Sequence, residues 1–146
     1  MKVKRTATAV WEGSGKEGSG RLSAPGGVLD ETPYSAAMRF ESQPGTNPEE
    51  LIAAAHAGCF SMALSFGLSA AGHPPERLTT GADLSLVKGD AGWTIETIHL
   101  SVEGRVPGID AATFQEHAEK AKAGCPVSRA LAGVDIQLEA KLVGAG

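Results

Sequence analysis

The sequence predicts an α+β domain with a largely antiparallel sheet and two main helices, and three observations carry that prediction. Segments that alternate apolar and polar residues come in groups, in the order βββ-α-ββ-αα-β, rather than singly between helices as a doubly wound sheet requires. One long uncharged stretch, 47–72, carries helix signals at both ends. A second helical pattern, 111–123, has an apolar stripe formed by Phe114, Ala118 and Ala121. At 146 residues the chain is expected to form a single domain over 1–146.

The long stretch organises the rest. Asn47 is placed to N-cap a helix, Pro48 suits its first position, and Glu50 stands three residues after the cap as in a capping box. Gly72 supplies the stop and Pro74-Pro75 prevents resumption. A helix over 48–71 is about 36 Å long. No charged residue occurs between Glu50 and Glu76, so the helix is expected to be buried on every face. A membrane span is not expected, because the run is rich in Ala, Ser and Gly, contains His56 and has few large apolar residues.

The other elements follow in chain order. Residues 2–12 alternate and read as a strand. Residues 13–20, rich in Gly and Ser, form a turn or loop; no helix follows them, so they are not a phosphate cradle. Arg21–Ser23 and Val28–Leu29 flank Pro25-Gly26-Gly27 as a hairpin. Residues 34–41 read as a third strand, with Met38 and Phe40 on one face and Arg39 on the other. After the long helix, the strand around Ala82, Leu84 and Leu86 turns at 88–92 into a second, 93–106, whose core face is Ile98, Leu100 and Val102. Asp110 caps the second helix, and Cys125-Pro126 opens a short third one over 127–131. Residues 134–142 alternate as a closing strand.

Composition excludes several functions. A net charge of −4 gives no affinity for nucleic acid or anionic lipid, and aromatics at 5% provide no base-stacking platform. No apolar stretch follows Met1-Lys2-Val3-Lys4-Arg5, which predicts a cytoplasmic protein. In that compartment the two cysteines, Cys59 and Cys125, are not expected to form a permanent structural disulfide, and they are too few for an all-cysteine zinc site.

Cys125 has the clearer local chemistry. A thiol at a helix N-terminus meets free backbone N–H groups, which favour thiolate. Cys59, in mid-helix, needs outside help, and Arg39 is the available cation, with Glu49 or Glu50 to pair it. Glu49 and Cys59 are ten residues apart on one helix, about 15 Å along its axis. If Glu49, Arg39 and Cys59 share a site, two copies of the chain must contribute to it, and a helix of small residues suits an antiparallel pair about a twofold axis. Plainer readings stand beside these. Buried cysteines are commonly inert, Glu49 and Glu50 suit the helix dipole by themselves, and His56 reads as a hydrogen-bonded core histidine or an orienting group for the thiol. His56 and Cys59 form only half of a metal site, and no second ligand pair is present.

Gly45-Thr46-Asn47-Pro48-Glu49-Glu50-Leu51 and the run Ala54 to Ser65 around Cys59 resemble the signature of the OsmC/Ohr family, in its OsmC branch. Gly27-Val28-Leu29, Arg39-Phe40-Glu41, Val106 to Asp110 and Lys120 to Ser128 extend the resemblance over essentially the whole chain; Gly58 departs from it harmlessly. The resemblance implies an intertwined homodimer with two interface sites. It implies a peroxidase without haem, metal or flavin that reduces organic hydroperoxides, and hydrogen peroxide less well. By position, Cys59 is the peroxidatic thiol, Cys125 the resolving thiol, and Arg39 with Glu49 the activating pair. An external dithiol, dihydrolipoamide or a lipoylated protein, resets the resulting Cys59–Cys125 disulfide. The readings from other classes are a thiol–disulfide redox sensor and a small-molecule binding module.

Overall fold

The computed structural model describes residues 1–144; the expected domain over 1–146 includes residues 145 and 146, which lie outside the described residues. The chain forms two compact units, Met1–Leu51 and a second from Ile52 onward. The elements are β1 (Thr8–Glu12), β2 (Ser19–Ser23), β3 (Thr32–Tyr34), α1 (Ala36–Phe40), α2 (Pro48–Ala70), β4 (Arg77–Gly89), β5 (Gly92–Arg105), α3 (Ala111–Gly124), α4 (Pro126–Ala130) and β6 (Asp135–Leu142). The fold class is α+β, as the grouping of strands predicts.

In the first unit β1, β2 and β3 form an antiparallel sheet in that order. Trp11 and Tyr34 both pair with Gly20, and their rings close over it with centroids 5.3 Å apart. Two expectations fail here. The first strand starts at Thr8 rather than at residue 2, because Thr8 pairs with Ser23, the last residue of β2, and nothing beyond it in that strand is left to pair with residues 2–7. Val28 and Leu29 belong to a turn closed by the Ala24 N–H on the Leu29 carbonyl, 2.9 Å, instead of a returning strand. A third correction bears on the site. Residues 36–40 are helical: the Ser35 hydroxyl caps the Met38 N–H at 3.2 Å, and Ala36, Ala37, Met38 and Arg39 are strong helix formers. Arg39 therefore projects from α1 and not from a strand.

Helix α2 starts and stops where its signals stand. The Asn47 carboxamide oxygen accepts the Glu50 N–H at 2.8 Å, and the Asn47 amide donates to the Met38 carbonyl at 3.1 Å. At the other end Gly72 has φ +87°, a conformation open to glycine, and the His73 N–H returns to the Leu68 carbonyl at 2.8 Å. By length and composition α2 could cross a membrane, with mean hydropathy 1.6. Its residues His56, Phe60, Leu64 and Leu68, one every fourth position, are instead buried in the second unit. The expectation of burial on every face is corrected: Met62 and Phe66 remain 61% and 70% exposed, because this chain covers only one stripe of the helix.

The second unit holds the main core. Sheet order is β4-β5-β6, with β4 and β5 antiparallel over the whole hairpin. β6 returns through α3 and α4 to lie parallel to β5, Thr97 opposite Asp135. Ile98, Leu100, Val102 and Val106 pack with Phe60, Leu64 and Leu68 of α2 and Phe114, Ala118 and Ala121 of α3 in one buried cluster that includes Cys125. Asp110 caps α3 through the Thr113 N–H at 2.8 Å. The Phe114 ring lies so close to Gly104 of β5 that a Cβ there would collide with it.

Gly104→Ala should therefore overpack the α3–sheet contact and destabilise the fold by about 1–3 kcal/mol, read as a lower urea midpoint at unchanged slope.

Candidate active site

Two constellations carry the chemistry-bearing residues, one in each unit. In the second unit, Cys59 sits half-buried on α2, one turn after His56, and Cys125 is wholly buried where α3 ends and α4 begins. Cys125 is the N-cap of α4, its sulfur 3.4 Å from the Ser128 N–H, and Pro126 occupies the first helical position as its fixed φ favours. Both cysteines are free thiols, close enough to shift each other's titration. The Val127 N–H reaches both sulfurs.

Their acidities diverge. Burial is the largest influence on Cys125 and raises its pKa, but the Ser128 N–H and hydroxyl, then Cys59 and the Val127 N–H, outweigh it, so the thiol lies below its ordinary value. For Cys59 burial again comes first and raises the pKa; the Val127 N–H opposes it, contact with Cys125 adds to it, and the thiol lies above its ordinary value. The reason is geometric. Cys125 faces the unpaired N–H groups of a helix start, whereas the backbone around Cys59 is committed to its own helix.

Above the thiols, His56 is fully buried on α2, and its Nε2 lies 2.7 Å from the Ser128 hydroxyl. Its Nδ1 is buried without a hydrogen-bond partner among the described residues. Burial holds the imidazole pKa below the ordinary histidine value.

In the first unit, Arg39 of α1 grips Glu49 in the first turn of α2: Nε stands 3.0 and 3.1 Å from the two carboxylate oxygens and Nη2 stands 2.5 Å from one of them. The Arg39 pKa is raised, first by this hydrogen bond and then by the carboxylate charge, with burial opposing. The guanidinium also lies 5.1 Å from the Phe40 ring centroid. Spacing alone left Glu49 and Glu50 as alternative partners and the family resemblance implied Glu49; the structure pairs Arg39 with Glu49. Arg39 is less enclosed than an arginine on an apolar strand, with a side chain 39% exposed against 12% for Glu49. Beside the pair, Trp11, Tyr34, Phe40 and Pro48 line a cleft of about 230 Å³.

Residues 40–139 match the family described as OsmC-like protein, a span that contains Glu49, Cys59 and Cys125 and begins one residue after Arg39. Over 131 residues the chain is 54% identical to "Peroxiredoxin OsmC" of Escherichia coli, covering 90% of this chain and 92% of that one. The chain belongs to the OsmC family. It is also 32% identical to "Organic hydroperoxide resistance protein OhrB" of Bacillus subtilis over 124 residues, 84% of this chain and 90% of the relative. The crystal structure titled as that OhrB superposes with a TM-score of 0.74 at 31% identity, covering 93% of this chain and 98% of the other.

Sequence reading brought out Cys59, Cys125, Arg39, Glu49 and His56 but missed Ser128. The only local signal for Ser128 was its place three residues after a capping cysteine, and its partner His56 is 72 residues away. Among the described residues no group of three or more His, Cys, Asp or Glu side chains is placed to hold a metal ion.

The buried imidazole makes a pH prediction. Its folded pKa is depressed, so the unfolded chain binds the proton more readily; this contribution to stability is complete above the unfolded value of about 6.5 and is lost as pH falls through the lower folded value. Urea midpoints measured downward from neutral pH should fall less steeply in His56→Gln than in the parent chain.

Proposed function

We propose that this protein reduces organic hydroperoxides to alcohols with Cys59 as the attacking thiol and Cys125 as the thiol that resolves the product. The observation that carries the reading is the pairing of two free thiols from separate elements, one half-buried and one enclosed. The family membership supports it: the relatives are named a peroxiredoxin and an organic hydroperoxide resistance protein. The chain is accordingly a thiol-dependent peroxidase of the OsmC family.

The steps balance. The Cys59 thiolate attacks one peroxide oxygen, the O–O bond breaks, and the departing alkoxide takes a proton and leaves as the alcohol, with Cys59 as sulfenic acid. The Cys125 thiolate then attacks the Cys59 sulfur; the S–S bond forms, the S–O bond breaks, and the hydroxyl leaves as water. An external dithiol, for which dihydrolipoamide or a lipoylated protein is suited, reduces the disulfide by exchange. No metal or prosthetic group is required for any of these steps.

Within one chain burial raises the Cys59 pKa, so a cation has to restore its thiolate. Arg39, oriented by Glu49, fits that need. Glu49 and Cys59 are ten residues apart on α2, about 15 Å along the axis, so a homodimer in which two copies contribute to each site satisfies the spacing. The exposed Met62 and Phe66 on α2 favour such a pairing, which would cover them. We place this dimer in the cytoplasm, where the dithiol donors of this reaction are kept reduced.

One equivalent of cumene hydroperoxide added to the reduced protein should remove both thiols of each chain and yield a Cys59–Cys125 linked peptide by mass spectrometry; two intact thiols would sink the peroxidase reading. Cys59→Ser should abolish turnover, and Cys125→Ser should reduce a single equivalent and stall as sulfenic acid or a mixed disulfide. In Arg39→Ala the Cys59 titration should move up by about 1–3 units, with slower oxidation; an unchanged titration would remove Arg39 from the site.

A further inference from the structure

The His56–Ser128 pair has no part in the steps above, yet it is built against the resolving thiol. His56 is 0% and Ser128 6% exposed, and the bond between them joins α2 to α4 inside the core. Ser128 meets Cys125 through its backbone N–H at 3.4 Å, and its hydroxyl lowers the pKa of the same thiol. Ser128 thus stands between His56, which its hydroxyl meets, and Cys125, which its backbone N–H meets.

Proton counting sets its direction. A serine hydroxyl carries one hydrogen. If that hydrogen points at the Cys125 sulfur, the oxygen must accept from His56, so Nε2 carries the ring hydrogen and the partnerless Nδ1 is a bare lone pair. In the reverse direction Ser128 donates to Nε2, Cys125 loses a donor, and Nδ1 becomes a buried N–H without a partner. A buried orphan donor is the rarer and costlier of the two. The first direction is favoured, and it is the one that serves a thiolate.

We propose that His56 and Ser128 are positioning residues for the resolving step: His56 Nε2–H fixes the Ser128 hydroxyl as a donor to the Cys125 sulfur, which readies that sulfur to attack oxidised Cys59. In the disulfide the same donors make Cys125 the sulfur that leaves, so the incoming dithiol is directed to Cys59. The reaction served rests on the peroxidase reading. During resetting the dithiol sulfur bonds to Cys59, the S–S bond breaks, and its electron pair is received at Cys125 as a thiolate; the more acidic thiol leaves faster. His56 acts throughout as a neutral donor, since burial disfavours its charged form and among the described residues no charged side chain offsets it. The groups that act on Cys125 are Ser128 and Val127 from α4 and Cys59 from α2.

The test begins without peroxide. In a Cys59→Ser background Cys125 is the only thiol, and its ultraviolet thiolate absorbance is followed against pH. Ser128→Ala, which removes one oxygen, should move the titration up by about one unit. His56→Leu should move it in the same direction, while His56→Gln, whose amide N–H can take the place of Nε2, should keep it near the parent value. Circular dichroism identifies the variants that fold; if His56→Leu does not, Ser128→Ala against His56→Gln decides. An unshifted titration in folded Ser128→Ala overturns the proposal. With Cys59 restored, Ser128→Ala should slow disulfide formation relative to sulfenic acid formation by about tenfold near neutral pH. Equal slowing of both steps would refute the resolving role. Absence of sulfenic acid in every chain, parent included, would instead sink the peroxidase reading and the role that depends on it.

Discussion

The buried stripe of α2 is the constraint on which the site depends. His56, Phe60, Leu64 and Leu68 lie along one line of the helix, and their packing into the core of the second unit fixes the rotation of α2 about its axis. Cys59 follows His56 by three residues and precedes Phe60 by one, so it is carried to the edge of that core, half-buried and not enclosed. Rotating the helix by one residue would bury Cys59 and expose His56. Four apolar and aromatic contacts thus decide where a reactive sulfur stands.

A second consequence is electrostatic. Closing a core around sulfur raises its pKa, and the two thiols meet that cost differently. Cys125 meets it locally, with the free N–H groups of α4 and the Ser128 hydroxyl. Cys59 has a single N–H from Val127, which is not enough. One sulfur is thus enclosed with several donors of its own and the other is half-exposed with one. Arg39 is held in one orientation by three hydrogen-bond contacts with Glu49.

Much of the fold was legible because its signals are local. The caps of α2 and α3, the Gly72 stop, the stripe Phe114–Ala118–Ala121 and the alternation of β4 to β6 all depend on residues within a few positions of each other. The failures have separate causes. Residues 34–41 alternate like a strand, but the Ser35 cap and a run of helix formers turn 36–40 into α1, so local chemistry outweighed the pattern. Residues 2–7 also alternate, yet a strand needs a partner and β2 ends opposite Thr8. The sequence order of strands likewise could not show that β6 lies parallel to β5.

By itself the sequence determined the α+β class, the long uncharged helix with its caps, the helix-start position of Cys125 and the opposite charges of Arg39 and Glu49, because each is written in spacing or residue type over a short span. From residue spacing alone neither the approach of Cys59 to Cys125 nor the choice of Glu49 over Glu50 for Arg39 follows, though the family resemblance implied both; tertiary structure alone decided that Ser128 stands between His56 and Cys125. The thiol pair and the His56–Ser128 bond are contacts between segments far apart in the chain, whereas Arg39 and Glu49 are ten residues apart. Only the packing of α2 and the start of α4 into a common core brings His56, Cys59, Cys125 and Ser128 within reach of one another.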